Sequence, residues 1–131
     1  MKVSILNAAL LLSLSQLSFS ATTPKPSSCP PVPAIVAIGI THIEKNGGAW
    51  YAGVLSNNYS TKEKWTLTVG PINAANAHEA KQKAISSLPT LTYKQGPLAN
   101  GQHWVCVYNN PLGYTTGTIT PALGLLHSVL S

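Results

Sequence analysis

The sequence predicts an α+β fold: a small antiparallel sheet of about five strands, one helix packed on a face, and a single disulfide. Three observations carry this. Short runs rich in Val, Ile, Thr, Tyr and Trp are separated by Gly, Pro and Asn clusters, the pattern of antiparallel strands and their turns. One stretch combines a helix cap with an apolar stripe of helical period. The chain holds 2 cysteines behind an N-terminal segment laid out like an export signal, so the pair is expected to be oxidised.

Residues 1–20 carry Lys2, an apolar run over 3–17 and small residues at Ser18 and Ser20, the three parts of a secretory signal peptide cut after Ser20. The apolar run is too short and serine-rich for a membrane span, and no cysteine follows the cut to take a lipid. Residues 21–33 then form a Pro-rich lead-in, expected to be extended and pinned at Cys29. One α+β domain is expected over 34–120, and an apolar C-terminal tail over 121–131. Bridging Cys29 to Cys106 would close most of the mature chain into a loop.

Within the domain, 34–43 (AIVAIGITHI) is β-branched and apolar and reads as a buried strand. Lys45-Asn46-Gly47-Gly48 predicts a hairpin turn into a second strand over 50–55. Residues 65–69 alternate, with Trp65, Leu67 and Val69 on one face and Thr66 and Thr68 on the other, as in a half-buried strand. Gly70-Pro71 should break it. Asn76 can cap a helix over 77–87, with Glu79 reaching back as in a capping box; Asn73 is the competing cap, and Pro89 stops the helix. Ala77, Ala80, Ala84, Ile85 and Leu88 form the stripe expected to face a sheet; His78, Lys81, Gln82 and Lys83 form the polar face. A short strand over 91–94, a loop over 96–102, a strong strand over 103–108 and a last strand over 114–120 complete the domain. In the tail, Leu125, Leu126, Val129 and Leu130 could line one face of a final helical turn, packed or partner-binding.

Composition excludes a good deal of chemistry. Charged residues make up 8% of the chain; all 8 basic residues are lysines, and the 3 acids are Glu44, Glu63 and Glu79. With no Asp, a Ser–His–Asp triad cannot be built. With no Arg, bidentate phosphate or carboxylate recognition is absent. Facing carboxylates for glycoside chemistry would need two of three scattered glutamates. Neither C-x-x-C nor G-x-S-x-G occurs. No enzyme is expected.

Several motifs stand in order along the chain: C-P-x-V-x-x-I from Cys29, W-x-A-G from Trp50, W-T-x-x-x-G from Trp65, N-A-x-E-A-x-x-K-A from Asn76, L-x-T-L from Leu88, Gly96-Pro97, and W-x-C-x-Y from Trp104. Together they resemble a family of short exported Legionella proteins of unknown function, one member of which is labelled haemin-binding. The resemblance spans 29–121 and implies a non-enzymatic exported binding protein, periplasmic or extracellular, with haemin as a possible ligand. It brings no catalytic residues with it.

Haem iron takes axial His, Tyr, Met or Cys. The only Met, at position 1, leaves with the signal, and oxidised cysteines cannot serve. Among the His and Tyr residues, His103 stands at a loop edge beside Trp104, and Tyr59 sits in a polar Asn/Ser loop, so His103, Trp104 and Tyr59 are the candidate ligand-binding residues. His42-x-Glu44 places two metal-ligating side chains on one strand face, but no third neighbours them in sequence, and no metal site is expected. The alternative function is a secreted or envelope protein-interaction module, an effector, inhibitor or subunit with an unknown protein partner. Nucleic acid is not expected, because the lysines are dispersed and no binding motif is present. Weak association with an anionic surface fits the net charge of +5.

Overall fold

The computed structural model describes residues 23–127. The expected signal peptide lies outside these, as do Val129 and Leu130. The elements are α1 (Val32–Ile38), β1 (His42–Asn46), β2 (Ala49–Asn57), β3 (Trp65–Ile72), α2 (Ala77–Ser87) with a 3₁₀ turn (Leu88–Thr90), β4 (Thr92–Asn100), β5 (His103–Asn109) and β6 (Thr115–Thr120). The strands form one antiparallel sheet in the order β1-β2-β3-β6-β5-β4. The class is α+β as expected, with one strand and one helix more.

The added helix replaces the first half of the strand expected over 34–43. A short apolar run does not distinguish a buried strand from a buried helix. Here Pro33 sets the first helical turn, and Gly39, at a φ of 76°, lets its N–H turn back to the Ile35 carbonyl at 3.0 Å. Only Ile35 of this helix is buried. The hairpin forms as expected, except that its two turn residues are Gly47 and Gly48, both at positive φ.

Cross-strand pairing defines two faces. Ala52, Val54, Leu67, Val69, Cys106 and Tyr108 share the first, where α1, α2 and the 3₁₀ turn deliver Ile35, Ala80, Ala84 and Leu88 into one buried cluster. Helix α2 starts at Asn76, whose Oδ1 accepts the Glu79 N–H at 2.9 Å. Glu79 reaches one residue past the cap, to the Ala75 N–H at 3.0 Å. Of the expected stripe Ala80, Ala84 and Leu88 are buried, joined by Ser87, whereas Ala77 and Ile85 are exposed.

Strand β3 is not half-buried: Thr66 and Thr68 are as enclosed as Leu67 and Val69. The tail covers them. Leu123 N donates to Thr66 Oγ1 at 2.6 Å, and Thr68 Oγ1 donates to the Leu126 carbonyl at 2.8 Å. The tail therefore packs as an irregular strap. Leu125 is exposed and Leu126 buried, so they do not share the helical face anticipated for them.

Gly70-Pro71 does not end β3, which runs on to Ile72 and pairs with Trp50. Gly96-Pro97 likewise lies inside β4, extending it to Asn100. The two residues fall in a register shift of an edge strand, where the missing proline N–H is not needed by the sheet. Lys94, Pro97 and these irregularities blunt one edge; β1, 5 residues long with Glu44 and Lys45, blunts the other.

The Cys29–Cys106 disulfide closes a separation of 77 residues, about 4.5 kcal/mol on the chain-entropy model. Native protein should contain no free thiol by labelling. Replacing both cysteines with serine should lower the urea unfolding free energy by about 4 kcal/mol, and a loss under about 1 kcal/mol would contradict the staple. Gly53→Ala should cost at least about 2 kcal/mol in the same assay, because its Cβ would stand 1.8 Å from the Leu67 carbonyl oxygen.

Candidate functional site

Alternation along β5 puts Trp104, Cys106 and Tyr108 on one face, and each holds the lead-in. Trp104 Nε1 donates to the Thr23 carbonyl at 2.8 Å, Cys106 is bonded to Cys29, and Tyr108 Oη donates to the Pro30 carbonyl at 2.6 Å. The lead-in therefore runs along β5 in the strand's own direction. Lys25 adds a cation 6.0 Å from the Trp104 ring centroid.

A groove of about 330 Å³ opens between this segment and the β4 edge, lined by residues 27–32 with Tyr93, Gly96, Pro97 and Tyr108. Gly96 lets its wall lie close against β5 and the disulfide. A Cβ there would meet the Val105 carbonyl oxygen at 2.7 Å and Cys29 Sγ at 3.3 Å. The lining is mostly proline, valine, tyrosine and the disulfide, with the Ser27 and Ser28 hydroxyls as polar points. Tyr93, 55% exposed, packs edge-on to Tyr108 at 6.5 Å, and its hydroxyl donates to the Gly96 carbonyl at 2.5 Å. The groove can take a flat or narrow apolar group. Among the described residues its lining includes no His or carboxylate.

The structure does not bring the sequence candidates together. His103 and Trp104, being consecutive, project to opposite faces of β5. Trp104 lies under the lead-in, on the groove's face of β5 but outside its lining. Tyr59 is 1% exposed, driven into the core by a loop in which Tyr59 and Ser60 both take positive φ and Asn57 Oδ1 accepts the Tyr59 N–H at 2.9 Å. Among the described residues its hydroxyl has no hydrogen-bond partner, and burial, with the nearby Tyr108, raises its pKa. It is a core residue rather than a surface ligand.

Of the lining residues, Tyr108 has a signal in the sequence, W-x-C-x-Y. A strand that places Trp104, Cys106 and Tyr108 on one face, with Cys29 tied to its middle, must place the neighbours of Cys29 against Tyr108.

A second polar cluster lies on the other face. His42 Nε2 is 3.6 Å from Glu44 Oε2, and the tail supplies the third group absent from the local sequence, His127, with Nδ1 2.8 Å from Glu44 Oε1. Among the described residues no group of three His, Cys, Asp or Glu is spaced to hold a metal ion.

The two buried phenols give opposite expectations. Tyr108→Phe orphans the Pro30 carbonyl and should cost about 1–3 kcal/mol by urea unfolding. Tyr59→Phe deletes a hydroxyl with no partner and should be neutral or stabilising. Burial pushes the Tyr108 pKa up to about 12 from 10.0. A raised folded-state pKa means full stability below the unfolded value, so the melting temperature should hold to about pH 10 and fall from there through about pH 12. A flat profile across that window would contradict the assignment.

No protein-family model, curated protein or solved structure matches the chain.

Proposed function

We propose that this chain is a non-enzymatic exported binding protein that holds a flat apolar ligand in the groove beside the disulfide, haemin being the ligand the family resemblance supplies. The observation that carries the reading is Tyr93. It is a half-exposed phenol, of a type haem iron accepts, at the mouth of a groove walled by prolines and a disulfide. The groove is open to solvent, so the propionate edge of a bound porphyrin would stay in water, where lysines interact with it only weakly. The disulfide fits an oxidising compartment outside the cytoplasm.

A second reading, a protein-interaction module, draws on α1, which leaves Val36 and Ile38 exposed beside the same lead-in.

Purified oxidised protein titrated with haemin should give a saturable Soret shift at micromolar concentration. Tyr93→Phe should weaken binding about tenfold or more, while Tyr59→Phe and His103→Ala should leave it unchanged. Absence of a saturable shift removes the haemin reading. A stable stoichiometric complex with a protein, disrupted by Val36→Lys, would favour the second.

A further inference from the structure

We propose that the C-terminal strap, residues 121–127, is an acid-released latch held shut by the Glu44 carboxylate. One oxygen of that carboxylate, Oε1, faces three N–H groups of the strap: Leu126 N at 3.0 Å, His127 N at 3.0 Å and His127 Nδ1 at 2.8 Å. An ionised carboxylate only accepts hydrogen bonds, so Nδ1 carries the proton in this contact. The other hydrogen bonds of the strap to the sheet, at Thr66 and Thr68, are between neutral groups. The charged contact therefore sits at the far end of the strap, where it holds Leu126 down. That side chain is fully buried in a slot left by Gly53, whose added Cβ would meet Leu126 Cδ2 at 3.2 Å.

The groups facing Glu44 set the response. They are His42 from β1, 3.6 Å from Oε2, and His127 from the strap; Tyr51 of β2 packs its ring against His127 at 6.3 Å. Burial raises the Glu44 pKa, but the bonds from the His127 side chain, the His127 N–H and the Leu126 N–H outweigh it and hold the carboxyl below its ordinary value. A lowered folded-state pKa means that the closed strap is favoured fully above the ordinary carboxylate range and loses that favour as pH falls through the lowered value. Once Glu44 is protonated, Oε1 no longer carries the charge that holds the three N–H groups of the strap, and the tie at its far end is lost. Release uncovers Gly53, Thr66 and Thr68 on the face opposite the groove, so the latch is independent of the binding reading above.

The test is amide hydrogen exchange by NMR on the oxidised protein, as protection factors from about pH 7 to about pH 3. Protection at Leu126 and His127 should fall about tenfold or more while Thr68 in β3 and Thr118 in β6 stay protected. In Glu44→Gln the strap amides should already be weakly protected at neutral pH and show no acid step. The latch is overturned if Leu126 and His127 lose protection only together with Thr68 and Thr118, or if Glu44→Gln keeps the wild-type profile. Should that variant not fold, the wild-type titration decides alone, since local and global opening differ in whether the strand amides follow.

Discussion

The bond between Cys29 and Cys106 organises one whole side of the molecule. It fixes an extended, proline-rich segment along β5, and the strand's own alternation adds a tie on either side, Trp104 to Thr23 and Tyr108 to Pro30. Neither hydrogen bond is worth more than about 1.5 kcal/mol net. Each depends on the bridge to bring a segment that lacks secondary structure of its own within reach. The segment then leads into α1 through Pro31 and Pro33, so the bridge also positions a helix whose single buried side chain, Ile35, could not anchor it alone. The groove is the space left between the stapled segment and the irregular edge strand, and Gly96 lets that strand lie close against β5 and the disulfide.

The sheet's second face follows a different logic. Its central strands present Thr66, Thr68, Gly53 and Gly117, with Ile119 the large apolar side chain buried beside Thr66. Such a face offers little hydrophobic driving force and needs a cover that satisfies hydroxyls. The strap does so with backbone groups, because Thr66 and Thr68 bond to Leu123 and Leu126. A chain with so few charges spends one of its three carboxylates on holding that cover in place. The two ends of the domain are thus tied to opposite faces, the lead-in covalently and the strap by a carboxylate contact.

Much of this architecture was legible in the sequence. The Asn76 cap, the alternation of Trp65, Leu67 and Val69, the Gly47-Gly48 turn and the pairing of two cysteines follow from local rules that tertiary context did not override. The failures share one cause, that local punctuation has more than one meaning. Gly-Pro reads as a break, yet Gly70-Pro71 and Gly96-Pro97 sit inside strands where the ladder tolerates a missing donor. The run over 34–43 has strand composition, but Pro33 and Gly39 frame a helix of the length available between them. Threonines alternating with apolar residues read as a wet face until a distant segment is known to cover them. For the site, residue type misled where position would have served. Tyr59 looked exposed because its neighbours are polar, whereas those neighbours build the turn that buries it.

The dependence of the groove on the bridge is open to direct measurement by NMR of oxidised and reduced protein, following the Trp104 indole N–H. In the oxidised form that proton is bonded to the Thr23 carbonyl and should exchange slowly. Reduction should free the lead-in and speed exchange of the indole proton by about tenfold or more. An indole proton that stays equally protected after complete reduction would mean that the segment holds itself in place without the bridge.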